Sequence, residues 1–145
     1  KLEGLCGRVS VTYGGNIPLA YKEAIESCAN VFISMQLSVN PKTELSIALV
    51  HFFGDKGEQS RTLASELVNR LSGTGLFART DYKEDVPVGR IETSIPSAVI
   101  ALGFGNDALC DYNENKDDFI MRLVDEICYG IIDGYVDLRK GSDEP

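Results

Sequence analysis

Apolar residues in this chain form short runs separated by polar turns. Residues 98–103 are apolar or small throughout, follow Pro96 and precede a Gly-Phe-Gly-Asn turn. A short run between breakers, with β-branched Val99 and Ile100, predicts a strand buried on both faces of a sheet. Open α/β sheets place their sites beyond the carboxyl ends of such strands, so we expect residues 101–107 to border any active site.

The remaining pattern predicts alternating strands and helices. Apolar or alternating runs predict three further strands, at residues 8–13, 31–35 and 45–53. Helical spacing of apolar residues predicts helices at residues 17–29, 58–71 and 117–135. The polar stretch 106–116 is predicted as a loop, and 74–89 as a loop or a short edge element.

This alternation predicts an α/β fold, a three-layer αβα sandwich around a mostly parallel, mixed sheet. We expect a single domain over residues 1–140, which is long enough to bury a core, and a flexible tail over residues 141–145. The net charge of −8 disfavours binding to nucleic acid or to an anionic membrane surface. No apolar run approaches the roughly 20 residues of a transmembrane helix.

Four cysteines and one histidine are the candidate soft or nitrogen ligands. The cysteines form no C-x-x-C pair, which argues against a zinc ribbon; they are Cys6, Cys28, Cys110 and Cys128. Cys28 and Cys128 lie in helical patterns and are predicted as buried free thiols, with disulfides as the open alternative. Cys110, in the predicted polar loop, is the most plausible exposed thiol. His51 is predicted to be a structural strand residue rather than a ligand.

A cluster of carboxylates follows the central strand; its members are Asp107, Asp111, Glu114, Asp117 and Asp118. Carboxylate oxygens are ligands for hard divalent cations, but the spacing does not match an EF-hand loop. We favour a solvated loop followed by a helix whose positive end carries acidic residues. The glycine-containing turns match neither of the phosphate-binding motifs G-x-G-x-x-G and G-x-x-x-x-G-K-[ST].

Four stretches, in this order, resemble a known family. Residues 27–36 (SCANVFISMQ) are similar to a segment ending in "FISIHAN", and residues 46–53 with 60–64 to "GxEVYYF…S…LA". Residues 96–106 (PSAVIALGFGN) are similar to "PAVLVELGFISN", and 127–135 to "AxAIxxGIxxY". The family is the zinc-dependent N-acetylmuramoyl-L-alanine amidases, which cut peptidoglycan between glycan and stem peptide. The resemblance covers most of the chain from about Val9 onward.

The departures from the family pattern lie at the positions that hold the family's zinc ion and its catalytic glutamate. Gln36 stands where the resemblance implies a zinc-ligating histidine, and Ala101 where it implies the catalytic glutamate. The family's first strand, with a "DPGHGG" segment, would lie upstream of Lys1 if residues 8–13 match the second family strand. In an alternative alignment Tyr13 replaces the ligand histidine of that segment. A carboxamide is a weak, neutral ligand for zinc, and a methyl group cannot transfer protons.

The resemblance and its departures together predict a non-catalytic amidase-like domain with a binding, regulatory or structural role at the bacterial cell envelope. We expect an extracytoplasmic location, a protein partner there, peptidoglycan as a second candidate partner, and no cofactor. One alternative is an active zinc-dependent amidase completed by residues outside this chain. The other is a module that binds peptidoglycan or muropeptides, for which the candidate contacts are Gln36, Ser38, Asn106 and Asp107.

Overall fold

The computed structural model describes residue 11 and residues 17–52, 57–84 and 95–143, with side chains as far as residue 140. Four helices and four strands follow one another in these segments: α1 (Ile17–Glu26), β1 (Phe32–Val39), β2 (Ile47–Phe52), α2 (Gly57–Gly73), β3 (Arg79–Glu84), β4 (Ser97–Phe104), α3 (Asn106–Glu114) and α4 (Lys116–Asp143). The strand predicted at residues 8–13, and Cys6, lie outside the described residues.

The strands form an open sheet in the order β1-β4-β2-β3. β4 pairs in parallel with β1 and antiparallel with β2, and β2 pairs in parallel with β3. The sheet is therefore mixed and mostly parallel, which confirms the predicted fold class. The apolar run at residues 98–103 forms the inner strand β4, as predicted.

Helices cover both faces of the sheet. Alternate residues of β4, namely Ala98, Ile100 and Leu102, join the main core with side chains of α2 and α4. Val99 points to the other face, where it packs in a second core with Ile17, Tyr21 and Phe32. This alternation follows from the pleat, which sends successive side chains to opposite faces of the sheet.

α2 and α4 pack closely because two glycines of α4 leave room for α2. A Cβ at Gly130 would lie 3.0 Å from a methyl carbon of Leu67, and one at Gly134 would lie 2.7 Å from a methyl carbon of Leu63. Buried Cys128, a free thiol, lies on the same helix, as predicted. α4 continues to Asp143, beyond residue 141 where the tail is predicted to begin. Among the described residues no helix is both long and apolar enough to span a bilayer.

The end of α1 corrects one prediction. The helix ends at Glu26 rather than Ala29, because Cys28 adopts the left-handed conformation with φ 58°. The amide of Ala29 donates to the carbonyl of Ala24 at 3.0 Å, a bond typical of a helix that ends with a left-handed residue. Cys28 is consequently exposed, so the prediction that it is buried is wrong.

Two other boundaries differ from the pattern. β1 does not end at Met35, because its pairing with β4 continues to Val39. The loop predicted at residues 106–116 is wrong over most of its length, since residues 106–114 form α3. Only Ala108 of α3 is buried, so this helix has almost no apolar stripe from which to predict it. The alternative of an edge element within residues 74–89 is confirmed by β3.

Candidate functional site

Gln36 and Ala101 are direct partners in the ladder between β1 and β4. Partners on adjacent strands place their side chains on the same face, about 5 Å apart at the Cβ atoms. The side chains of Gln36 and Ala101 lie on the sheet face that α1 covers near the amino end of β1. Both residues are half-buried. The structure thus brings together two residues that are 65 positions apart in the sequence.

The same row continues across the sheet from Ala101 to Leu49 and then to Asp81. Leu49 is half-buried, whereas Asp81 is exposed on the edge strand and lies 3.4 Å from Arg79. The carboxylate of this row therefore lies two strand spacings from Ala101, about 10 Å away. The side chains on either side of Ala101 in this row are the amide of Gln36 and the isobutyl group of Leu49.

His51 lies on this face, one row away. It pairs with Val99, which in turn pairs with Ser34. Two strand spacings of about 4.8 Å and one pleat repeat of about 6.6 Å separate its Cα from that of Gln36, so His51 is not a neighbour of the pair. His51 is buried in β2, as expected of a structural strand residue.

Ser38 and Asn106 lie at the carboxyl end of the sheet. Ser38 is exposed and pairs with Gly103, on the same face of β1 as Gln36. Asn106 begins α3, and its amide donates to the carbonyl of Thr43 at 2.8 Å. Residues 40–46 thus cross the end of β4 and hydrogen-bond to the turn that follows it.

Asp107, a predicted ligand-binding residue, is instead bonded within the chain. The Ser46 hydroxyl donates to Asp107 Oδ1 at 2.5 Å, and the amide of Ala108 donates to the same oxygen at 2.6 Å. The amide of Ser46 donates to Oδ2 at 3.3 Å. The hydrogen bond from Ser46 is the largest cause that lowers the pKa of Asp107 below its usual value, with the backbone bonds adding to it and burial opposing it.

Fully buried Ser46 connects this carboxylate to the next turn. Its oxygen accepts a hydrogen bond from the amide of Gly105 at 2.8 Å. Sequence reasoning missed this network because Ser46 and Asp107 are 61 residues apart. A polar residue just before an apolar strand was the only available signal. We call the contacts among Ser46, Gly105, Asp107 and Ala108 the Ser46 network.

Two other acidic residues of the predicted cluster, Asp111 and Asp118, lie beside an arginine. Arg122 lies 2.8 Å from Asp118 and 3.8 Å from Asp111. The acidic neighbours raise the pKa of Arg122, and the hydrogen bond that Arg122 donates to Asp118 is the largest cause. Within residues 17–52, 57–84 and 95–140, no three His, Cys, Asp or Glu side chains are grouped so that they could hold a metal ion.

The chain is similar in structure to several N-acetylmuramoyl-L-alanine amidases. The enzyme from Clostridium difficile 630 matches with a TM-score of 0.59 and 17% identity over 81% of this chain and 63% of its own. The catalytic domain of CwlV from Bacillus (Paenibacillus) polymyxa var. colistinus gives 0.54 and 18% over 83% and 63%. CwlD from Clostridioides difficile, in complex with the GerS lipoprotein, gives 0.51 and 16% over 91% and 73%. The fold is amidase-like.

The chain spans 63% of the first two structures, so they contain further segments that it does not match. No protein-family profile matches the sequence, and no curated protein does either. The amidase-like fold therefore rests on the arrangement of the elements, with the sequence resemblance as independent support.

The described side chains of the amidase-like fold do not fit a hydrolytic zinc ion. Such an ion takes about three ligands from histidine, carboxylate or thiolate, with one open position. Gln36 offers a neutral amide, and Ala101 and Leu49 offer no donor atom. No buried side-chain nitrogen or oxygen in the described part of the chain lacks a hydrogen-bond partner.

Proposed function

We propose that this chain is a non-catalytic amidase-like domain with a binding, regulatory or structural role at the bacterial cell envelope. One observation carries the proposal: Gln36 and Ala101 are ladder partners on one face of the sheet. The two departures from the family's chemistry therefore fall on one spot rather than on two unrelated ones. A hydrolase needs a metal-activated water and a proton carrier there, and this pair supplies neither.

The intact surroundings of the pair support a retained role for the domain. Val99 and Ile100 beside it are fully buried, and the ring centroids of Phe104 and of Phe119 in α4 lie 5.9 Å apart. We infer that the domain folds around a packed core without the family's catalytic side chains, as a binding, regulatory or structural role requires.

The envelope location and a protein partner complete the proposal. The similar structures are amidases, and one of them, CwlD, was solved with the GerS lipoprotein. Peptidoglycan is the second candidate partner, because Gln36 and Ser38 present hydrogen-bonding groups side by side on one strand face. Titration calorimetry with soluble muropeptides tests it: heat lost in Gln36→Ala would support peptidoglycan binding, and a flat trace would remove it.

The test of inactivity is direct. We expect the purified chain, supplied with zinc and purified peptidoglycan, to release no stem peptide, and elemental analysis to find less than one zinc per chain. The positive control is a zinc-loaded N-acetylmuramoyl-L-alanine amidase whose structure is similar to this one. Stoichiometric zinc together with turnover would contradict the proposal and favour a working amidase.

Restoring the family residues tests the geometry. Gln36→His with Ala101→Glu places an imidazole and a carboxylate on adjacent strands, within reach of one ion. We expect this double variant to bind zinc at least tenfold more tightly than the wild-type chain and than Gln36→His alone, measured by calorimetry and by the visible spectrum of bound Co²⁺. Equal affinities in the three proteins would mean that the two positions do not converge.

A further inference from the structure

A cavity of about 230 Å³ lies between α2 and β3. The described side chains that line it are Arg61, Thr62, Ser65 and Glu66 of α2 and Tyr82 of β3. Tyr82 shares a row of the sheet with Val50 and Ile100, on the face opposite Gln36 and Ala101. The cavity is therefore distinct from the site around Gln36.

Arg61 brings to this cavity a positive charge that no described carboxylate neutralises. Its guanidinium carbon lies 5.9 Å from the centroid of the Tyr82 ring, within the range of a cation–π contact. Among the described residues no carboxylate oxygen lies within 4.0 Å of Arg61, whereas Arg70 and Arg122 contact carboxylates at 2.7 and 2.8 Å. A guanidinium stacked on a ring keeps N–H donors available for the carboxylate of a ligand.

The ring that holds Arg61 is itself fixed in place. Tyr82 is half-buried, packs against the main core and lies 6.0 Å from the ring centroid of Phe52. The guanidinium therefore rests on a wall that belongs to the sheet, which lowers the cost of ordering it around a ligand.

Glu66 brings the opposite charge to the same cavity. Its pKa is raised, first by burial, then by a hydrogen bond to Asp137 of α4 and by the charges of Asp137 and Asp133. Arg70 partly offsets these charges and lies 2.7 Å from Asp133. Three carboxylates beside one guanidinium leave a surplus of negative charge, which favours a positive group of a ligand next to Glu66.

The space between the two charges suits a small molecule. Arg61 and Glu66 are five residues apart on α2, about 7.5 Å along the helix axis, and the lining residues between them, Thr62 and Ser65, are short. The Thr62 hydroxyl donates to the carbonyl of Glu58 at 3.0 Å, so its oxygen can still accept a hydrogen bond. Pockets for drug-sized molecules measure about 300–1,000 Å³, more than this cavity provides.

We propose that this cavity binds a small zwitterion, a free α-amino acid whose carboxylate contacts Arg61 and whose ammonium group contacts Glu66. A simple anion would be attracted by Arg61 and repelled by Glu66, and a simple cation would meet the reverse. A molecule that carries both charges is attracted by both residues. This inference does not depend on whether the domain is catalytic.

A titration with alanine, followed by the amide signals of the ¹⁵N-labelled chain in nuclear magnetic resonance, tests the site. We expect alanine to shift the signals of residues 61–66 and 82 until they saturate. Acetate and ethylammonium carry only one of the two charges. Each should bind at least about tenfold more weakly than alanine, because it lacks one charge-assisted hydrogen bond.

Three variants locate the contacts. Arg61→Gln and Glu66→Gln each remove one charge and should each weaken alanine binding by about tenfold or more. Arg79→Gln is the matched control, because Arg79 lies on the same strand as Tyr82 but on the opposite face, 3.4 Å from Asp81. It should bind alanine like the wild type, and circular dichroism confirms that each variant is folded.

Three results would overturn the proposal. The first is a set of alanine-induced shifts that does not saturate or lies outside α2 and β3. The second is acetate that binds as tightly as alanine, since the ammonium group would then make no contact. The third is an Arg61→Gln chain that binds alanine with the affinity of the wild type.

Discussion

The Ser46 network should contribute measurably to stability, and Ser46→Ala is the perturbation that tests this. The substitution removes the oxygen that accepts the hydrogen bond of the buried Gly105 amide, and it removes the shortest hydrogen bond to Asp107. A buried group left without a partner costs about 1–3 kcal/mol. We therefore expect the free energy of unfolding to fall by about 1–3 kcal/mol. Because Asp107 is largely exposed, its charge adds little to this figure.

The assay is urea denaturation followed by circular dichroism at neutral pH. Ser72→Ala is the control, because Ser72 is exposed near the end of α2 and surface substitutions usually change stability by less than about 0.5 kcal/mol. A double-mutant cycle with Asp107→Asn isolates the contact between the two side chains. If Ser46→Ala and Ser72→Ala unfold at the same urea concentration, the reasoning is refuted.

The pH dependence adds a second check. The folded-state pKa of Asp107 is lowered, so its ionised form stabilises the native state. This contribution is fully present above the unfolded pKa, near 3.8, and is lost as the pH falls through the lower folded-state value. The coupling between Ser46 and Asp107 should therefore shrink in acid, whereas the part due to Gly105 should remain. A coupling energy that does not change with pH would mean that the ionised form of Asp107 is not what the Ser46 hydroxyl stabilises.

Three further substitutions concern α2 and α4. Gly134→Ala should destabilise the chain by about 1–3 kcal/mol, because its Cβ would lie 2.7 Å from Leu63 Cδ1 and 3.2 Å from Leu63 Cα, so the backbone of α2 would have to shift as well as the side chain. Gly73→Ala, with no atom within 4 Å of the new Cβ, should stabilise it by about 0.4–1 kcal/mol in the same urea titration. The pKa of Glu66 is raised, first by burial and then by the hydrogen bond to Asp137 and the charge of Asp137. The ionised form of Glu66 therefore destabilises the native state, and this cost appears as the pH rises from the unfolded pKa of 4.5 through the higher folded-state pKa. Glu66→Gln should therefore raise the melting temperature at pH 7 and lose this advantage below the unfolded pKa; an equal effect at both pH values would contradict the cause.

The sequence predicted the elements that have a clear apolar period. β4, α2 and the start of α4 follow from such patterns, and so does the α/β class. α3 could not be predicted in this way, because contacts of the Ser46 network and the ring of Tyr112 on Phe119 hold a helix with almost no apolar stripe. The left-handed Cys28 was equally hidden, since non-glycine residues rarely adopt this conformation.

The candidate site, like the fold, could be predicted from the sequence only in part. The resemblance singled out Gln36 and Ala101, but only the register between β1 and β4 places them side by side. Asp107 was predicted as a ligand-binding residue from its position after the central strand. Its partner Ser46 lies in another part of the sequence, and no local pattern reveals that the carboxylate is already bonded.

The segment that crosses the end of β4 forms a fixed border at the carboxyl end of the face that carries Gln36 and Ser38. The amide of Asn40 donates to the carbonyl of Phe104 at 2.9 Å, and the amide of Asp107 donates to that of Glu44 at 3.1 Å. A molecule that binds on this face would have to fit the border as it stands, because a movement of the segment would break these hydrogen bonds.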